Sequence, residues 1–176
     1  PKFGDLQFGA LVATNEASLT ANTGLGAAKT YSFGVKYDAG ALYLALAHEM
    51  HDNYFGGSAQ APSAMRNNGA ADNVKSRDQA TQATVEWRIN KQNKVAFDVI
   101  RKLYSEDAIV NNRFKKYSNI AWQVAFESRL SDKWRVGGHY VKSAAGSCTR
   151  LNAVCTTDGL EGSKLMFGAG YYFSRR

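Results

Sequence analysis

The feature that most constrains the fold of this sequence is a period-two alternation of apolar and polar residues, repeated in stretches of about ten residues. Residues 119–142 state the rule most fully. Ile120, Trp122, Val124 and Phe126 share one face of an extended chain, and Ala121, Gln123, Ala125, Glu127 and Arg129 share the other. Ser131, Asp132 and Lys133 supply a tight turn. Trp134, Val136, Gly138 and Tyr140 then continue the apolar face, with Arg135, Gly137 and His139 on the wet one. The segment therefore predicts a β-hairpin. A strand of about ten residues matches the length a tilted strand needs to cross a bilayer, where soluble strands run about five or six.

The same pattern predicts strands over 6–15, 30–38, 41–51, 81–90, 94–104 and 164–174, about eight in all with the hairpin. Residues 100–103 lose the alternation, which predicts a bulge or an emergence into solvent. Pro1, Lys2 and Phe3 read as a turn. The connections alternate in length, short at 39–40, 91–93 and 131–133, long at 16–29, 52–79, 105–118 and 143–163. All tight turns then fall at one end of the sheet, as in an up-and-down membrane barrel, whereas sandwiches mix loop lengths at both ends. A polar loop as long as 52–79, with its lone Pro62, is foreign to a compact soluble domain and ordinary on the outer side of such a barrel.

Mean hydropathy is −0.38, and no run approaches the roughly 18 apolar residues of a membrane helix, so a helical membrane protein is excluded. Barrel strands escape that test because only one face of each is apolar. The formal charge of +7 does not point to nucleic acid: Lys36, Arg88, Arg129, Arg135 and Lys164 are spread singly over successive strands, with no basic run to follow a phosphate backbone. Cys148 and Cys155, six residues between them in a polar loop, fit a small disulfide and an oxidising compartment better than a metal site, two free loop thiols being the alternative. Gly24 to Thr30 imitates a phosphate loop but has Ala28 where a glycine should precede Lys-Thr. His48 and His51 sit on opposite faces of a strand, so they cannot share a zinc ion. No cofactor or metal is expected.

The wet faces mix small and polar residues with the pairs Lys36/Asp38, Glu86/Arg88 and Glu127/Arg129, which suits a water-filled lumen. Alternation alone does not say which face is inside, since a soluble barrel buries the apolar one. Tyr31, Tyr37, Trp87, Trp134, Tyr140, Tyr171 and Phe173 lie toward strand ends, as interfacial girdles do.

Pro1-Lys2-Phe3-Gly4-Asp5-Leu6, the pair 31–38 and 42–49, and the closing Phe167-Gly168-Ala169-Gly170-Tyr171-Tyr172-Phe173-Ser174-Arg175-Arg176 are patterns of the Gram-negative trimeric general-diffusion porins. Over its whole length the chain resembles that family, especially the betaproteobacterial type. The resemblance implies an all-β, antiparallel up-and-down transmembrane barrel. Residues 1–176 would be one partial domain of a sixteen-stranded barrel, following the constriction loop and preceding the last strands. It further implies a homotrimer in the outer membrane, lipid as partner, and passive diffusion of ions and small hydrophilic solutes without turnover. Candidate pore-lining residues are Lys36, Asp38, Glu86, Arg88, Glu127, Arg129, Arg135 and Lys164, the cations among them biasing entry toward anions unless each is paired with a carboxylate. Two other readings stay open: a complete eight-stranded barrel with a ligand-binding or structural surface role, and an outer-membrane barrel enzyme. The enzyme is disfavoured because His51 and His139 have no nucleophile motif nearby.

Overall fold

In a computed structural model of the protein, residues 2–14, 28–53, 75–107 and 111–173 are described, and they form strands, turns and short irregular links. Most of the 16–29 and 52–79 connections, and residues 174–176, lie outside the described residues; so does most of the phosphate-loop imitation.

Ten strands follow one another: β1 (Lys2–Phe3), β2 (Leu6–Thr14), β3 (Lys29–Ala39), β4 (Leu42–Asp52), β5 (Ser76–Arg88), β6 (Asn93–Glu106), β7 (Phe114–Arg129), β8 (Trp134–Ser143), β9 (Ser147–Arg150) and β10 (Gly162–Tyr171). They make one antiparallel sheet in chain order, β9 lying beside the first part of β7 while β8 pairs with its second part. The up-and-down arrangement read from the alternating connections is thus present. The sheet is open, with β1 and β10 at its two ends.

Local chemistry sets the turns. Asn90 Oδ1 accepts hydrogen bonds from the backbone N–H of Gln92 and Asn93, both at 2.8 Å, and closes the β5–β6 link. Ser131 Oγ accepts from Lys133 N–H at 3.2 Å and Trp134 N–H at 3.1 Å and does the same between β7 and β8. Gly40, at φ 55°, turns β3 into β4. The short links 4–5, 40–41, 89–92 and 130–133 all fall at one end of the sheet, and the long ones at the other.

Three expectations change. Residues 100–103 carry no bulge, because the β5–β6 ladder runs unbroken from Arg88↔Lys94 to Ser76↔Glu106. The alternation fails there because Ile100 puts an apolar side chain on the charged face and Arg101 a charge on the apolar one, while pairing continues. Lys2 and Phe3 form an edge strand on Gln7 and Leu6 instead of a turn. The 143–163 connection contains β9.

The described residues form a single layer whose one buried cluster is small, Phe114 and Tyr117. Among the described hydrophobic residues only Ala28, Phe114 and Tyr117 are buried. Leu46, Phe97 and Val124 sit mid-strand yet remain 45 %, 44 % and 45 % exposed.

Candidate functional site

In an antiparallel sheet, residues directly opposite one another point to the same side, so the registers assign every side chain to a face. One row reads Leu6, Tyr37, Leu44, Val85, Phe97, Val124, Tyr140 and Leu165, one residue from each of the eight long strands. The rows beside it are nearly as apolar. Phe8, Val35, Leu46, Ala83, Val99 and Trp122 form one, and Leu42, Trp87, Val95, Phe126, Gly138 and Phe167 the other. An apolar belt therefore crosses the whole sheet on one side.

The belt runs obliquely to these rows. On β2 it occupies Leu6 to Val12 and on β10 Leu165 to Tyr171. Leu165, its loop-side end on β10, lies in the row of Leu6, its turn-side end on β2, so the belt has slipped by the six residues that separate Leu6 from Val12. Spread over seven strand-to-strand steps, with ~3.3 Å per residue and ~4.8 Å between strands, that slip inclines the strands by about 30° to the belt's normal.

The belt has distinct borders. At its turn side Trp134 and Tyr171 rings meet at 4.9 Å, as do Tyr171 and Phe173, and Trp87 stands 57 % exposed nearby. At its loop side the same face turns charged, with Lys29, Asp52, Arg77 and Lys116 along one row and Arg77 Nε 2.6 Å from Asp52 Oδ1.

All eight sequence-derived candidates lie on the opposite face. Lys36 and Asp38 come from β3, Glu86 and Arg88 from β5, Glu127 and Arg129 from β7, Arg135 from β8 and Lys164 from β10. Six charged groups at the turn half of this face join into a ladder of alternating sign. Arg88 Nη1 lies 2.8 Å from Asp38 and its Nε 3.1 Å from Glu86. Lys94 Nζ bridges Glu86 at 3.1 Å and Glu127 at 3.8 Å, and Arg135 Nη1 closes the series on Glu127 at 3.2 Å. The Arg135 guanidinium also stands 5.5 Å from the centre of the Tyr172 ring. Arg129 is held by Asp132 across the turn. Neither Lys36 nor Lys164 has an ion-pair partner among the described residues. Partly exposed pairs of this kind contribute about 1 kcal/mol each or less, so the ladder organises this face of the sheet more than it stabilises it.

Sequence reading missed the central member of the ladder, Lys94, although the position of Val95 on the apolar face already placed it on the wet one. It also missed Asp98, which accepts hydrogen bonds from Thr84, Gln82 and Gln123. Nearer the loop end, His51 lies between two carboxylates, Nδ1 2.7 Å from Asp78 and Nε2 3.0 Å from Glu49, and Ser32 Oγ donates to Glu49 at 2.8 Å. Neutral imidazole donates through one nitrogen only, so both contacts are hydrogen bonds when the ring is protonated. His48 faces the other side of the sheet, opposite Phe33 and Thr81. Among the described residues no group of His, Cys, Asp and Glu side chains could hold a metal ion. Cys148 and Cys155 form the disulfide their spacing suggested.

Comparison with known proteins finds no matching family model, no matching curated protein and no matching solved structure. The functional reading therefore rests on the two faces of the sheet.

Proposed function

We propose that this chain is the wall of an outer-membrane diffusion channel, its apolar belt turned to lipid and its charged face to a water-filled lumen. The observation that carries the reading is the oblique belt. An exposed apolar surface spanning eight long strands, bordered by aromatic rings on one side and charges on the other, is what a bilayer covers. The inclination of about 30° lies close to the 35–45° tilt of strands in membrane barrels.

Two consequences follow for the fold and the transport. Lipid offers no hydrogen bonds to the unpaired backbone of β2 and β10, so in the membrane further antiparallel strands close the sheet into a barrel. Solutes pass without turnover, and fixed charge decides which ions enter. In the ladder each cation has a carboxylate neighbour, so its contribution to the lumen field is largely cancelled. The anion bias then comes from the cations of this face outside such pairs, Lys36 and Lys164, which share one row across the wall, and Lys102 nearer the loop end. A homotrimer packed through outer faces and small hydrophilic solutes, anions among them, complete the proposal.

The test is reconstitution into planar bilayers under a salt gradient. Ion-selective single-channel steps are expected, with a reversal potential that moves toward cations in Lys36→Gln/Lys164→Gln and moves less in Arg88→Gln. A chain that stays soluble without detergent and never conducts would sink the channel reading in favour of a ligand-binding barrel.

A further inference from the structure

Among the described residues, the place where large hydrophobic side chains are buried is the long-loop end of the sheet. Tyr104 and Tyr117 face each other across β6 and β7 on the charged face, in the row that also holds Thr30, His51 and Asp78. Their rings stack with centroids 6.3 Å apart. Tyr117 is 2 % exposed and the neighbouring Phe114 0 %, and on the same face only Ser76 and Glu106, also at the loop end, are as closed, among the described strand residues.

What covers them is the connection after β8. The chain kinks through residues 144–146, where Gly146 takes φ +82° and a Cβ would run into the Ser118 carbonyl oxygen. β9 then resumes along β7 with Cys148 opposite Tyr117. The disulfide to Cys155 turns the chain back, and Cys155 and Leu160 pack on the Phe114–Tyr117 pair. Tyr117 Oη donates to the Ala145 carbonyl at 3.2 Å, and Thr157 Oγ1 donates to that of Gly146 at 3.1 Å. Leu151 N–H donates to the Arg113 carbonyl at 2.9 Å, tying the segment to the start of β7.

We propose that this stapled segment, residues 144–161, is a constriction at the channel mouth that sets the upper size limit for solutes. The proposal rests on the channel reading above and adds a size filter to it. A wholly polar loop would be as well solvated extended into water as lying on the wall. This one gains buried apolar area only by folding over the charged face, and the disulfide cuts the number of conformations in which it leaves. Chain lying on that face at the rim occupies cross-section through which solutes would otherwise pass.

The experiment is liposome swelling with neutral sugars of increasing size, alongside single-channel conductance. It compares the oxidised wild type, Cys148→Ser/Cys155→Ser, Tyr117→Ala, and wild-type channels treated with a membrane-impermeant phosphine after insertion. The expected result is an upward shift of the size cut-off in all three altered channels, with flux of the smallest sugars little changed. A cut-off that stays put in normally conducting channels overturns the constriction and leaves the channel standing. Wild-type protein that neither swells liposomes nor conducts overturns the channel and the constriction together. Should either variant fail to insert, the reductant arm decides, since its channels are already assembled.

Discussion

Gly137 and Gly138, adjacent on β8, meet different constraints on the two faces of the sheet. On the charged face a Cβ at Gly137 would lie 2.8 Å from the Phe126 carbonyl oxygen, a backbone atom with little room to retreat. On the apolar face the missing side chain of Gly138 leaves space for the Phe167 ring, whose Cδ1 would stand 2.7 Å from an added Cβ. A flexible ring can swing aside where a carbonyl in a ladder cannot. Gly137→Val is therefore expected to cost about 1–3 kcal/mol, the usual penalty of forcing atoms into filled space. Gly9→Val, on the same face of β2 with nothing within 4 Å, is expected to be nearly neutral. Urea unfolding midpoints in detergent micelles check the contrast, and equal losses at both positions would refute the steric account.

A strand here is a two-sided object, one face apolar and the other polar or charged, and neighbouring residues of β7 show it. Val124 sits within the belt opposite Phe97 and Tyr140, while Gln123, one residue away, hydrogen-bonds Asp98 on the other side. With the belt in lipid as proposed, Val124→Arg is expected to destabilise the protein by about 2–4 kcal/mol, the depth-dependent cost of a cation on a lipid-facing strand. Gln123→Arg places the same charge beside a carboxylate in water and is expected to cost less than half as much. Refolding titrations into lipid vesicles measure both, and a Val124→Arg protein as stable as wild type would argue that this face never meets lipid. The same two-sidedness explains residues 100–103. Pairing is a property of the backbone and continues to Glu106, whereas the side-chain alternation is interrupted where Ile100 and Arg101 exchange the usual character of the two faces.

At the largest scale the decisive fact is that the sheet formed by the described residues has edges. Among them β10 pairs with β8 on one side and with no strand on the other, an arrangement tolerable in water and prohibitive in hydrocarbon. In membrane-embedded protein the β10 amides that point away from β8 are accordingly expected to resist hydrogen exchange as strongly as those bonded to it. Fast exchange at alternate β10 positions would mean that nothing closes the sheet there. Much of this architecture was legible beforehand: period-two alternation named the strands and their faces, the lengths of the connections placed the turns at one end, and the spacing of Cys148 and Cys155 suggested their bridge. These are local properties, written in side-chain chemistry along a few residues. The slip of the belt across the rows, the ladder through Lys94, the His51 cluster and the folding of Leu160 onto Tyr117 were decided only in the tertiary structure. Each depends on which residue of one strand stands opposite which residue of the next, and that register comes from pairing between strands, which the alternation within each strand leaves undetermined beyond its parity.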